Sequence, residues 1–477
     1  MDRKTFIKRW AASIDLGSAS IFIGAGLSRR AGYPDWRTLL KDIADELGLD
    51  INQESDLAAV AQYSLNRATG KRAKLSKLIV DHFPPKADAP EAFHILARLP
   101  IRHIWTTNYD TLAELAWRDG RKQLDVKSRN NDLGLDKPWA NAILYKMHGS
   151  VDHPTEVVIA KDDYELYRRM RPGFLQVLTG QFVTKQFLFL GFSFTDPNIS
   201  HLFASIREAF QENGPEHYAI VKRPQRGKGG GAKKRYDTEK TRHTLWVEDL
   251  QRYGIQCIEV DEHNEVDEIL RSVELALARR SVFVSGSFPV HGPAKDGEFV
   301  EAVSRVVGRA IAKNGKRLVS GFGLTVGSAA LAGALNVILE EPAPNLDKSL
   351  LLRPFPQEAP ENIQMAHFRR RYRQGMIHQT GICVFIAGLK INDKGRTKIA
   401  DGVLEEFEVA KAAGRVVVPI GCTGGTAKSI WKQMNNDRAY PIGLTKAEFG
   451  RLNATNCTAR DVEKAIQKVM AAVDNDT

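Results

Sequence analysis

The chain is short of cysteine and of long apolar runs, and each shortage closes a class of function. Only four cysteines occur in 477 residues. Cys257, Cys383, Cys422 and Cys457 form no Cys-x-x-Cys pair, so neither a zinc ribbon nor a disulfide framework is expected, and a reducing cytoplasm is the natural compartment. At the N-terminus Asp2, Arg3, Lys4, Lys8 and Arg9 interrupt any apolar run, which argues against a secretory segment. No later stretch approaches the roughly 20 apolar residues that cross a bilayer, so no membrane association is expected. The composition, 43% hydrophobic and 26% charged, is that of a globular protein, and the length calls for two or three domains. The net charge of +11 raises nucleic acid as a partner. Much of the excess, however, lies in local runs such as Lys233-Lys234-Arg235 and Arg369-Arg370-Arg371, which equally fit a solvated face. Nucleic acid is therefore the alternative and not the expectation.

What the chain has is a series of apolar strands that end in glycine or in a polar side chain. Ile21-Phe22-Ile23 runs into Gly24-Ala25-Gly26-Leu27-Ser28, where missing side chains let backbone amides approach a pyrophosphate and a following helix adds its positive end. A tight strand-to-helix turn explains the glycines as well. Ile101 to Thr107 reads as a strand ending at Asn108, Ala142 to Met147 as one ending at His148, and Val183 to Phe192 as one entering Ser193-Phe194-Thr195-Asp196-Pro197. In open α/β sheets ligands bind at such strand ends. Arg3 to Ile14 reads as an amphipathic helix in which Phe6, Ile7 and Trp10 form a core or subunit contact. The segment Asp56 to Phe83 reads as a helical insertion, and Gly227 to Arg235 as a flexible basic loop. A fresh series of α/β units starts at Ser281, which places a domain boundary near residue 280, between 1–280 and 281–477. Its glycine loops, Ser285-Gly286-Ser287, Ser320-Gly321-Phe322-Gly323 and Gly421-Cys422-Thr423-Gly424-Gly425-Thr426, suit a ligand with several phosphates.

The run Gly24 to Trp36, with Gly32-Tyr33-Pro34-Asp35-Trp36, then Thr106-Thr107-Asn108-Tyr109-Asp110 and His148-Gly149-Ser150, resembles the sirtuin-like NAD-binding domains. The second half resembles the SLOG family of Rossmann-like domains. Together, with Ile95 to Ile101, Phe187 to Asn198, Val319 to Gly323 and Leu352 to Gln357, the chain resembles the Thoeris A effectors of bacterial anti-phage defence. The fold class expected is thus α/β: a sirtuin-like Rossmann-type parallel sheet with a helical insertion, followed by a second Rossmann-like (SLOG) domain.

The resemblance implies an NAD+ glycohydrolase with Asn108 and His148 as catalytic residues and Gly24, Ala25, Gly26, Ser28, Asp35, Asp110, Gly191 and Ser193 against the substrate. It implies an activator, a cyclic ADP-ribose isomer made by a partner with a Toll/interleukin-receptor-like domain, bound by Gly286, Ser287, Leu324, Phe355, Arg373, Lys390, Gly402 and Glu406. There Arg373 and Lys390 meet the pyrophosphate and Glu406 the ribose. A homo-oligomer, a tetramer or larger, is expected. No cofactor is implied beyond NAD+ as substrate. Protein deacylases of the sirtuin family carry a four-cysteine zinc module; this chain has no cysteine before Cys257, so no zinc or other metal is expected and acyl-lysine recognition is disfavoured. Gly402-Val403-Leu404-Glu405-Glu406 replaces the Pro-Gly-Gly-x-Gly-Thr-x-x-Glu run of SLOG hydrolases, which favours a sensor over a second enzyme.

Overall fold

Short, mostly apolar strands of three to seven residues bury both faces when helices cover each side of a parallel sheet. The computed structural model has this arrangement twice. It describes residues 1–86, 88–210, 214–227, 232–289, 294–356, 358–392 and 396–475. The chain divides into two compact units, Met1–Glu274 and Leu275–Thr477. The division falls inside the helix Asn264–Ala278, a few residues before the fresh strand at Ser281.

The first unit holds β1 (Ala19–Ile23), β2 (His103–Thr106), β3 (Leu124–Lys127), β4 (Ala142–Lys146), β5 (Gln186–Leu190), β6 (His217–Lys222) and β7 (Ile255–Val260) in one sheet. Their order is β3-β4-β2-β1-β5-β6-β7, with every pair parallel. From β1 the chain builds outward in one direction through β2 and β4, then returns to build the other way through β5. A crevice opens at the carboxyl ends beside such a reversal. Aromatic side chains fill one face: Phe182 stacks on Phe187 at 4.1 Å, and Trp105 on Tyr145 at 4.2 Å. The helices Leu57–Arg67 and Ala73–His82 form the insertion between β1 and β2.

The second unit holds β8 (Ser281–Ser287), β9 (Arg317–Ser320), β10 (Leu350–Leu352), β11 (Ile382–Ala387), β12 (Leu389–Ile391), β13 (Thr397–Ile399) and β14 (Val416–Ile420). A parallel sheet runs β10-β9-β8-β11-β14, while β12 and β13 form a separate antiparallel hairpin. The covering helices Ala294–Lys313 and Val326–Ile338 cross closely. A Cβ on Gly308 would lie 1.8 Å from Ala330 O, and one on Gly333 would lie 1.9 Å from Arg305 O.

Several expectations need correction. Val183 and Thr184 end the helix Pro172–Thr184, and the strand begins only at Gln186. Lys233 to Arg235 open the helix Ala232–Gln251, because no glycine or proline follows them and good helix formers do. The rest of that expected loop, 228–231, lies outside the described residues. Of the two expectations for the N-terminal helix, core or subunit contact, Phe6 and Trp10 meet the first: they are buried against Tyr218, at ring distances of 5.3 and 5.9 Å. Strand β3 carries no apolar signature, since its Asp125 and Lys127 are a buried ion pair at 2.9 Å.

Candidate active site

The carboxyl ends of β1, β2, β4 and β5 surround a cavity of about 920 Å³ in the first unit. Asn108, two residues past β2, is 8% exposed. Its backbone N–H donates to Thr106 Oγ1 at 2.9 Å, and Thr106 in turn donates to Ile23 O, also at 2.9 Å. The threonine hydroxyl thus ties the turn to β1. Asn108 Nδ2 donates to Ser28 Oγ at 2.9 Å, which fixes the amide orientation, and Asn108 Oδ1 has no partner among the described residues. Asp110 accepts from Leu112 N on Oδ1 at 3.0 Å, closing the turn that leads into the next helix, while its buried Oδ2 has no such partner among the described residues.

His148 follows β4 and is 2% exposed. Gly149 behind it adopts φ +88°, and a Cβ there would lie 3.1 Å from Val157 Cα, so the left-handed glycine turns the chain while Val158 N bonds back to His148 O at 3.0 Å. The edges of Tyr164 and Tyr167 meet the imidazole at 5.3 and 6.2 Å. Nε2 lies 3.0 Å from Asp196 Oδ2, an ion-pair distance without the alignment of a hydrogen bond; Nδ1 has no hydrogen-bond partner among the described residues. Burial alone would raise the Asp196 carboxyl, but His148 and the amides of Ile199 and Asn198 outweigh it and hold the group below the ordinary carboxylate range. Asp196 is the one residue of this cluster that sequence reasoning left among the walls of the crevice without a role. It lies six residues past β5 and caps the helix Pro197–Phe210, and only the fold brings its other oxygen to His148.

Of the residues expected against the substrate, Ala25, Gly26, Ser28, Asp35, Asp110, Gly191 and Ser193 line the cavity, and Gly24 is not among the lining residues. The reason for the glycines is corrected. Gly24 N donates to Leu190 O at 2.8 Å and Gly26 N to Gly191 O at 2.9 Å, so neither amide is open to a phosphate. A Cβ on Gly24 would sit 2.4 Å from Gly191 O, and one on Gly191, at φ +62°, 2.4 Å from Leu27 N. These glycines let two strand exits touch. Asp35 N-caps the helix Trp36–Leu39 through Thr38 N at 2.8 Å. The far wall of the cavity includes Lys222, Trp246 and His263, which no motif singled out.

In the second unit the structure gathers part of the expected activator set. The Arg373 guanidinium lies over the Phe355 ring at 4.9 Å, and a Cβ on Gly402 would lie 2.6 Å from its Nη2. Glu406 is 5% exposed. Its carboxylate accepts from Ser285 and, at 3.3 Å, from Arg373 Nε, while Arg373 Nη1 pairs with Glu405. Burial is the largest influence on Glu406 and raises its carboxyl, with Ser285 and Arg373 opposing. Both Glu406 oxygens thus already accept one hydrogen bond within the fold, which leaves each a further lone pair for a ribose hydroxyl. Ser287 Oγ donates to Leu389 O at 3.0 Å, which ties the end of β8 to the hairpin carrying Lys390; that lysine pairs with Asp401 at 2.7 Å. Leu324 is 82% exposed. Packing accounts for glycines in each of the three loops: a Cβ on Gly286 would lie 2.2 Å from Ile386 O, on Gly321 2.8 Å from the Phe355 ring, and on Gly421 2.6 Å from Asn453 Oδ1. No described helix is long and apolar enough to cross a membrane.

Comparison with known proteins agrees with this geometry. Residues 102–257 match the SIR2-like domain family, and residues 265–475 match the Sir2- and TIR-associating SLOG family. The proteins named NAD(+) hydrolase ThsA from Bacillus cereus (strain MSX-D12) and Enterococcus faecium are 37% and 36% identical over 473 and 486 residues. These alignments cover 98% and 100% of this chain and 97% and 99% of the relatives. Defense-associated sirtuin 2 of Bacillus subtilis is 29% identical over 210 residues, 42% of this chain and 20% of its own length. With more than a third of positions identical across nearly the full length of both chains, the protein belongs to the ThsA family, in which a SIR2-like domain precedes a SLOG domain.

Proposed function

We propose that this chain hydrolyses NAD+ to ADP-ribose and nicotinamide in anti-phage defence, using the cavity at the ends of β1, β2, β4 and β5. The observation that carries the reading is the convergence of unpartnered buried polar atoms, Asn108 Oδ1, Asp110 Oδ2 and His148 Nδ1, on residues lining one cavity in a chain whose relatives are named for NAD+ hydrolysis. Buried polar atoms carry a free-energy cost unless a partner meets them, and a ribose or a water molecule supplies such partners.

Cleavage breaks the bond between ribose C1′ and the nicotinamide nitrogen. The electron pair leaves with neutral nicotinamide, positive charge develops on the sugar, a water oxygen bonds to C1′, and one proton must be removed. Asn108, held by Ser28, positions the water or a ribose hydroxyl through Oδ1. The Asp196 carboxylate beside Nε2 favours the tautomer protonated there, which leaves the Nδ1 lone pair to accept the proton. Asp196 also stabilises the imidazolium that results, and the negative charge of Asp110 offsets the charge on the ribose.

The finer reading is that the second unit senses a cyclic ADP-ribose isomer, made by a partner with a Toll/interleukin-receptor-like domain, and that a cytoplasmic homo-oligomer couples binding to the first unit. The family description that pairs SLOG with TIR supports this, as does the cluster of Arg373 and Phe355 at the end of the second sheet. An unregulated NAD+ hydrolase would drain its own cell, and an activator shifts the balance only by binding the active arrangement better. The test is product analysis of full-length protein with NAD+, with and without cyclic ADP-ribose isomers and without any acylated peptide. Nicotinamide and ADP-ribose in equal amounts, increased by an isomer, are expected. Turnover only with an acyl-lysine peptide would instead mark a deacylase.

A further inference from the structure

Lys146, the last residue of β4, is wholly buried, and lysine is among the residues least often found so. Its Nζ donates to Asp110 O at 2.7 Å, Glu114 Oε1 at 2.9 Å and Ser150 Oγ at 3.0 Å, with Tyr109 O at 3.4 Å. Three of these acceptors, Tyr109 O, Asp110 O and Ser150 Oγ, belong to two loops, and Glu114 belongs to the helix Leu112–Asp119 that follows the first of them. Tyr109 and Asp110 directly follow Asn108, and Ser150 lies two residues after His148. Ser150 Oγ passes the chain on to Asp152 Oδ2 at 3.0 Å, and Val151 N adds a neutral bond to Tyr109 O at 2.9 Å. The converging groups are almost all acceptors. An ammonium is the one side-chain group with three donors and no lone pair on a compact head.

We infer that Lys146 is a positioning residue for NAD+ cleavage: its ammonium, though absent from the cavity wall, locks the Asn108 loop to the His148 loop. The inference rests on the hydrolase reading above. A second buried lysine separates this role from the general effect of burying a charge. Lys127, the last residue of the edge strand β3, pairs with Asp125 at 2.9 Å and bonds Leu135 O, touching neither loop. Removing one partner of a buried ion pair destabilises folding by leaving the other charge unpaired, so both Lys146→Met and Lys127→Met are expected to melt lower and the melting shift does not separate the two roles. Misplacement of reacting groups by about 1 Å, by contrast, can cost about a hundredfold in rate.

The experiment measures nicotinamide release over a range of NAD+, with cyclic ADP-ribose isomers present, for wild type, Lys146→Met, Lys127→Met and Ser150→Ala, each checked by circular dichroism and thermal melting. Lys146→Met should lose about a hundredfold in kcat with KM changed by less than about threefold, whatever the size of its melting shift. Ser150→Ala, which removes one bond to the ammonium, should lose about tenfold in kcat. Lys127→Met should keep wild-type kcat even if it melts lower. A folded Lys146→Met with the kcat of Lys127→Met overturns the inference. Should Lys146→Met not fold, Ser150→Ala decides, and an unchanged kcat there overturns it. A wild-type protein that releases no nicotinamide overturns the hydrolase reading itself, and this inference with it.

Discussion

Replacing Gly191 by alanine tests how the cavity floor is built. Gly191 has φ +62°, and its new Cβ would lie 2.4 Å from Leu27 N, 2.8 Å from Gly26 C and 3.0 Å from Gly26 Cα. Backbone and not a flexible side chain stands in the way, so the exit of β5 and the turn after β1 must separate. The left-handed conformation costs about 1–2 kcal/mol for an L side chain, and overpacking a tight contact adds about 1–3 kcal/mol. Losing the bonds Gly24 N to Leu190 O and Gly26 N to Gly191 O, 2.8 and 2.9 Å long, adds about 1 kcal/mol each. The sum is about 4–7 kcal/mol. Gly48, at φ +75° with nothing within 4 Å of an added Cβ, supplies the matched control that pays for backbone conformation alone. At about 2–4 °C per kcal/mol for a domain of this size, Gly191→Ala should melt roughly 10 °C or more below wild type, and Gly48→Ala only a few degrees below. Because the displaced turn carries Ser28, which holds the Asn108 amide, nicotinamide release should fall about a hundredfold in the protein that remains folded. Scanning calorimetry and the nicotinamide assay read both effects. A Gly191→Ala protein that melts with Gly48→Ala and keeps wild-type turnover would refute the interlocked-glycine account.

Four further outcomes follow from the same geometry. Asp196→Asn should lower turnover at least tenfold while sparing KM, because the imidazolium loses its counter-charge. The Asp196 carboxyl is held below its ordinary value, so its contribution to stability is present above the unfolded carboxyl pKa near 3.9 and lost as pH falls through the depressed value. The melting difference between wild type and Asp196→Asn should therefore be largest near neutrality and close in acid, and a gap that widens on acidification contradicts the assignment. In the second unit Arg373→Ala and Lys390→Ala should each raise the activating concentration of a cyclic ADP-ribose isomer at least tenfold, as loss of a charged contact to phosphate requires. Glu405→Gln, which frees the Arg373 guanidinium from a competing carboxylate, should lower that concentration; unchanged dose responses in all three would place the activator elsewhere.

Much of this organisation was legible in the sequence, for a physical reason. A parallel strand buried on both faces is a block of apolar residues, and its end is marked by a change to polar groups, as over Thr106 to Asn108 and over Lys146 to His148. Strand β3 lacked that mark because Asp125 and Lys127 neutralise each other inside the fold, so a buried element reads as a polar one. Asp196 was hidden differently. Asp-Pro before a helical run reads as a helix cap, which it is, and its second carboxylate oxygen meets His148 only through the packing of β4 against β2 and of β5 against β1. The glycines show the deeper limit. A missing Cβ signals that something comes close, without saying whether it is a phosphate or the backbone of the next strand. At Gly24, Gly26 and Gly286 it is backbone. The hairpin bearing Lys390 was invisible because its two three-residue strands are too short for periodicity to register.

The central claim is that His148 and Asn108, converging from two strand ends, cleave NAD+. The most direct measurement is nicotinamide release from NAD+ by full-length wild type, His148→Ala and Asn108→Ala, with cyclic ADP-ribose isomers present and all three proteins shown to be folded by circular dichroism. The account predicts release by wild type and a loss of about two to four orders of magnitude in each variant. A folded His148→Ala protein that releases nicotinamide at the wild-type rate would contradict it.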